Sequence, residues 1–141
     1  MPQLNTEAEA DRSCVAVASV NDIVTARLQG RALAERLGFS PGEATLVATA
    51  ISELARNIVQ YAGKGDIELR SAENGGRPGI VVVARDRGPG ISDVKLAVQP
   101  GYSTSGGLGL GLPGVRRIVD DFQVVSERHR GTTITVTKWK G

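Results

Sequence analysis

Between Ser13 and Ser19 (SCVAVAS) apolar and polar positions alternate with the period of a strand, Cys14 counting among the apolar set. After Asn21 the period lengthens. Ile23, Ala26, Leu28, Leu33 and Leu37 recur at helical spacing, and Gly38 suits the left-handed residue that closes a helix. A second helix begins with its own start chemistry: Ser40 as N-cap, Pro41 in the first helical position, and Glu43 completing an S-x-x-E capping box. Its apolar positions run through Leu46, Val47, Ala50, Ile51, Leu54, Ile58 and Val59 and stop at Ala62-Gly63. Asp66 to Ser71 reads as a strand, Asn74-Gly75-Gly76 as a turn, and Ile80 to Ala84 (IVVVA) as a buried central strand. A glycine-rich loop follows at Asp86 to Gly90, then a short helix over Ser92 to Val98 and a loop over Pro100 to Gly107. A further helix is expected from about Leu108 to Phe122, with Pro113 tolerable in the first turn. Phe122 to Glu127 and Thr132 to Trp139 form a hairpin that turns at Arg130-Gly131. The order β, α, α, β, β, α, β, β predicts an α+β fold, a two-layer sandwich of helices on one face of a mixed sheet.

Composition refines this picture. The chain has 141 residues, the size of one domain, and is 40% apolar but only 4% aromatic, so the core must be Val, Leu, Ile and Ala. Residues 1–12 are polar and acidic and read as a disordered tail, leaving 13–141 as the domain. Seventeen basic against fifteen acidic residues give a net charge of +2, which is not the clustered basic surface of a nucleic-acid binder. Cys14 is the sole cysteine, so no disulfide forms within the chain and a reducing cytosol is the natural setting. Its place in an alternating strand reads as a small buried hydrophobe. The single histidine, His129, excludes a His-cluster metal site. No apolar run is long enough to span a membrane, and the N-terminus lacks the features of a signal peptide.

Three clusters carry candidate chemistry. Glu53 and Asn57 are spaced i, i+4 on the second helix, so they share a face, which Tyr61 continues. Glu53 and Arg56 are the only charged residues between Ala44 and Ala62. A carboxylate on so apolar a helix is either paired with Arg56 at the solvent edge or part of a site. An Asn oxygen suits Mg²⁺, which takes few protein ligands, and the neighbouring Glu suits a general base. Asp86-Arg87-Gly88-Pro89-Gly90 is good turn chemistry. It also fits a base-recognition loop, because a carboxylate accepts from an exocyclic amine and glycines admit a planar ligand. Gly106 to Gly111 places side-chain-free backbone at the start of a helix, where N–H groups favour phosphate. The overlapping G-x-G-x-x-G at Gly109 to Gly114 is not a dinucleotide fingerprint, because no strand precedes it, and no P-loop occurs.

In this order and spacing the motifs resemble those of the GHKL ATPase and kinase superfamily with its Bergerat ATP-binding fold. Glu53-Leu-Ala-Arg-Asn57 resembles the N box, Asp86 to Gly90 the first glycine box, Gly107 to Gly111 the second, and Gly131-Thr132 the last. The resemblance implies ATP and Mg²⁺ as cofactors, with Asn57 ligating the metal, Asp86 holding the adenine amine and Thr132 assisting there. Gly88 and Gly90 shape the base pocket, and Gly107, Leu108, Gly109 and Gly111 close the end of a lid over the phosphates. Glu53 is implied as catalytic base. The chain shows no dimerisation helix pair with a phospho-acceptor histidine and no transducer domain. That points away from complete sensor histidine kinases, type II topoisomerases, MutL proteins and Hsp90 chaperones.

The segments Ser52 to Ile58, Tyr61 to Gly65, Gly101 to Gly109 and Gly111 to Gly114 are similar to the RsbT-type switch-kinase branch of bacterial partner-switching modules. The implied activity is phosphorylation of a serine or threonine on a STAS-domain protein (RsbS/RsbR-like) in a stress-signalling switch. The kinase is then released to activate a PP2C-type phosphatase (RsbU-like) or another output regulator. Two other readings stay open: an anti-sigma factor that binds a sigma factor directly, and a catalytically silent ATP-gated binding module. Ser103, Thr104 and Ser105 fit either phosphate ligands or plain lid residues, and an apolar surface on the first helix suits partner docking.

Overall fold

The computed structural model describes residues 12–88, 111–127 and 130–141. Its elements are β1 (Arg12–Val17), α1 (Val20–Arg36), α2 (Pro41–Tyr61), β2 (Gly65–Asn74), β3 (Arg77–Asp86), α3 (Gly111–Ile118), β4 (Asp121–Glu127) and β5 (Gly131–Trp139). The capping box of α2 forms as expected: Glu43 N–H donates to Ser40 Oγ, and Ser40 N–H donates to the Glu43 carboxylate, both at 3.1 Å. For α1 the start lies earlier than Asn21. Ser19 is the N-cap, because Asp22 reaches back to accept from the Ser19 and Ala18 N–H groups. The third helix ends at Ile118, and Phe122 belongs to β4. Pro113 falls in its first turn, where its missing N–H costs nothing. Arg12, expected in the tail, is the first residue of β1. The expected short helix over 92–98, the loop over 100–107 and His129 lie outside the described residues.

The strands form one sheet in the order β1-β2-β3-β5-β4, and every neighbouring pair is antiparallel. The mixed sheet expected from the element order is therefore corrected. Two helices separate β1 from β2, so the chain reverses twice before re-entering the sheet and arrives antiparallel. A single described helix separates β3 from β4, which would suit a parallel pair, but β5 lies between those two strands and runs against both.

α1 and α2 cover one face. Their inward positions meet Val15, Val17, Ile67, Leu69, Val82, Ala84, Ile134 and Val136 of the sheet in a single cluster of Val, Leu, Ile and Ala, with Phe39 at its margin. Val20, Val24 and Leu28 stay exposed on the outer side of α1. Among the described residues no helix is long and apolar enough to cross a membrane.

The opposite face of the sheet corrects the reading of Cys14, which is exposed. The strand SCVAVA carries small or apolar residues at both parities, and the helices cover the parity of Val15 and Val17. Across from Cys14 in register stands Glu68, with a side chain only 5% exposed among Arg12, Arg70 and Arg85. Arg85 donates a hydrogen bond at 3.1 Å to Glu68 Oε1. Arg12 lies 2.9 Å and Arg70 3.8 Å from Oε2, contacts of charge rather than aligned hydrogen bonds. Burial pushes the Glu68 carboxyl up, but the Arg85 hydrogen bond and the three guanidinium charges outweigh it and hold it below the ordinary range. Desolvation, followed by the charges of Asp66 and Glu68, pushes the Cys14 thiol up, so this cysteine is a poor nucleophile.

Candidate functional site

The site is built along α2. Glu53, Arg56, Asn57 and Gln60 follow the i, i+3, i+4, i+7 stripe, and together they line a cleft closed on its other side by Gly111 and Leu112 of α3. Gln60 rather than Tyr61 continues this face, since seven residues nearly complete two turns and eight overshoot by most of a right angle. Tyr61 is exposed at the helix end.

Both oxygens of Glu53 are engaged. Arg56 donates to Oε1 at 2.5 Å, and the Gly111 N–H donates to Oε2 at 3.2 Å. The Glu53 side chain is 10% exposed and that of Arg56 47%. Of the readings left open for this carboxylate, the pairing with Arg56 forms, and the side chain is too buried to sit at the solvent edge. The positive end of the α3 dipole favours a negative group where Glu53 Oε2 now sits, accepting from the Gly111 N–H. Asn57 is half-buried in the same cleft. Among the described residues no three His, Cys, Asp or Glu converge as a metal cage. The donor set present, one amide oxygen beside one carboxylate, fits an ion that brings most of its ligands with it, as Mg²⁺ does with phosphates and water.

The second half of the site lies just beyond Asn57, at the C-terminal end of α2. Asp86 is the last residue of β3, in register with Gly65 on β2 and Thr132 on β5, and Thr132 is in register with Ser126 on β4. By the two-residue period of a strand, this row shares the helix-facing side with Ile67, Ala84, Ile134 and Val124. Thr132 is buried, and its hydroxyl lies 2.9 Å from that of Ser126. Gly88 N–H donates to Asp86 Oδ1 at 2.9 Å, turning the chain just after the strand. A side chain on Gly88 would come within 2.6 Å of the Cβ of Ala62, the C-cap of α2, so the loop seats against the helix end only as glycine. Gly131 has φ +116, and a Cβ there would overlap the Asp86 carbonyl. Glycine lets β5 begin directly beside Asp86.

One helix therefore serves both clusters: Asn57 and Ala62 are separated by about 7 Å along its axis. The structure brings Glu53, Asn57 and Gly111 together in the C-terminal half of α2, and Asp86, Gly88 and Thr132 at its C-terminal end. Gly90, Gly107, Leu108 and Gly109, with Ser103, Thr104 and Ser105, lie outside the described residues. Sequence reasoning gave no role to Ser126, whose contact needs the β4–β5 register, and it took Arg56 only as a surface partner.

Residues 16–138 match the family described as histidine kinase-like ATPase domain. The chain is 48% identical over 129 residues to the serine/threonine-protein kinase RsbT of Bacillus subtilis (strain 168), covering 92% of this chain and 97% of that protein. It is 31% identical over 118 residues to an anti-sigma F factor of Clostridium kluyveri, covering 80% of this chain and 82% of the other. Among solved structures, one of the RsbU and RsbW domains of a Mycobacterium tuberculosis protein matches with TM-score 0.62 at 22% identity, over 90% of this chain and 31% of that one. The mycobacterial sensor histidine kinase MprB matches with TM-score 0.54 at 17% identity, over 91% of this chain and 97% of that one. These two show a shared fold.

Proposed function

We propose, from the premise that this chain belongs to the histidine kinase-like ATPase family, that it is a protein serine/threonine kinase acting on a STAS-domain protein in a cytosolic partner switch. The observation that carries the reading is the placement of Glu53 and Asn57 at the N-terminus of α3 on the same helix whose end holds the Asp86 loop. The C-terminal half of this helix can take the phosphates beside Glu53 and Asn57 and the adenine at the Asp86 loop, about 7 Å farther along. The 48% identity to a named serine/threonine kinase over nearly the whole chain supports the same activity.

In this mechanism the Asp86 carboxylate accepts from the adenine amine, and Thr132, fixed by Ser126, contributes its hydroxyl beside it. Asn57 would offer its oxygen to Mg²⁺, whose charge would neutralise the phosphates when it is bound. The backbone N–H groups at the start of α3 face the phosphates. Glu53 accepts the proton of the attacking hydroxyl. Phosphorylation then adds roughly two negative charges to the STAS surface and weakens the complex. The kinase so released engages a PP2C-type phosphatase or another output regulator.

The test is transfer of labelled phosphate from Mg-ATP to a STAS-domain protein, with Asn57→Ala as control. Label on a serine or threonine, lost in the control, supports the kinase. ATP binding without transfer to any STAS protein would overturn it. The anti-sigma F factors at about 30% identity motivate one alternative, direct binding of a sigma factor. Pull-down against sigma factors and STAS proteins in parallel separates the two.

A further inference from the structure

Arg56 has no part in the mechanism above beyond its pair with Glu53. It nevertheless lines the same cleft as Asn57, Gln60 and Gly111, where the phosphates are placed by that reading. Glu53 is engaged on both oxygens, by Arg56 and by the Gly111 N–H. Each oxygen already accepts one hydrogen bond, so an attacking hydroxyl must share the carboxylate with the guanidinium. The two partners differ in freedom: Glu53 is 10% exposed and packed, whereas Arg56 is 47% exposed. A half-exposed ion pair one helical turn long is weak. A phosphoryl group carries more charge and presents oxygens that match the guanidinium fork, so it outcompetes a single carboxylate oxygen.

We propose that Arg56 is a catalytic residue that leaves Glu53 for the γ-phosphoryl group when ATP binds. The inference rests on the ATP-dependent kinase reading. On nucleotide binding, Glu53 Oε1 is released to face the acceptor hydroxyl. The hydroxyl oxygen then forms its bond to phosphorus as the bond from phosphorus to the β–γ bridging oxygen breaks. The electron pair leaves on ADP, and the hydroxyl proton passes to Glu53. Arg56 keeps its own protons and neutralises charge on the transferring group. The same side chain thus masks the base when the γ-phosphoryl is absent and serves the transition state when it is present. ADP, which lacks that group, leaves the Glu53–Arg56 pair in place.

The experiment is calorimetric titration with ADP and with a non-hydrolysable ATP analogue, both with Mg²⁺. The proteins are wild type, Arg56→Ala, Arg56→Lys, Glu53→Gln and the Glu53→Gln, Arg56→Ala double variant. Arg56→Ala is expected to weaken the analogue by about tenfold or more and ADP by less than about threefold, with lysine in between. The selective loss persists in the Glu53→Gln background, which a role confined to holding Glu53 would not produce. Phosphotransfer by Arg56→Ala is expected to slow by roughly a thousandfold. Equal weakening of both nucleotides, or of neither, with wild type binding both, overturns the inference and leaves the kinase reading standing. Wild type that binds neither nucleotide overturns the kinase reading and the inference with it.

Discussion

Replacing Glu53 by glutamine separates what this side chain does for the fold from what it does for the chemistry. Gln keeps the shape and one carbonyl oxygen, so the Gly111 N–H can still be accepted, but as a neutral bond. A charged hydrogen bond contributes about 1.5–3 kcal/mol and a neutral one about 0.5–1.5 kcal/mol. The observed 3.2 Å separation puts this one at the low end, for a loss of about 1 kcal/mol. The pair with half-exposed Arg56 adds at most about 0.5 kcal/mol. The fold should therefore weaken by roughly 1–1.5 kcal/mol, a fall in Tm of about 3–7 °C for a domain of this size. Removing a general base costs roughly 10²–10⁴ in rate, or about 3–5 kcal/mol of barrier. Single-turnover transfer to a STAS partner, run well below the melting temperature, should show that loss while ATP binds within about threefold of wild type. Transfer within about threefold of wild type in a folded Glu53→Gln protein would refute the role of base.

Other perturbations address the remaining parts. Asp86→Asn keeps an oxygen for the Gly88 N–H, so Tm should hold, while ATP affinity falls about tenfold or more; unchanged affinity by titration would remove Asp86 from the base pocket. Ser126→Ala deprives the Thr132 hydroxyl of its partner and should weaken ATP by about threefold to tenfold, with Ser126→Thr retaining affinity. Equal binding by the alanine variant would sever Ser126 from the nucleotide. Glu68 has a folded pKa below its unfolded value, so its stabilisation is full above about pH 4.3 and is lost as pH falls through the folded pKa. Urea denaturation between about pH 3 and pH 7 should show wild type losing stability on acidification more steeply than Glu68→Gln; parallel curves would contradict the arginine-held carboxylate.

Local chemistry made much of the fold legible. Ser40, Pro41 and Glu43 announce the start of α2 because capping depends on neighbours in sequence. The start of α1 was harder, since Ser19 closes a run read as a strand and its role as N-cap shows only once Asp22 reaches back to its N–H. The burial of Cys14 was misread because both parities of β1 carry small or apolar residues, and only the position of the helices decides between them. The antiparallel sheet escaped sequence reasoning because strand neighbours are set by where β5 inserts, a long-range choice. At the site, Glu53 and Asn57 stood out as polar groups on an apolar helix. Arg56 did not, because a charged residue beside a glutamate reads as an ordinary surface pair. The Gly131 requirement is visible only once β5 is laid against Asp86.

The insertion of β5 also sets when the molecule becomes competent. A ribosome releases β1 to β4 before it releases the nine residues of β5. Until then β4 has no strand to pair with, and β3 is open along the edge that carries Asp86. Thr132 has not yet arrived beside Asp86, so the row that sets these two side by side is incomplete. On the proposed reading, nucleotide capture is thereby tied to synthesis of the closing strand, and a chain stalled or cut before Gly131 lacks the partner that Asp86 needs.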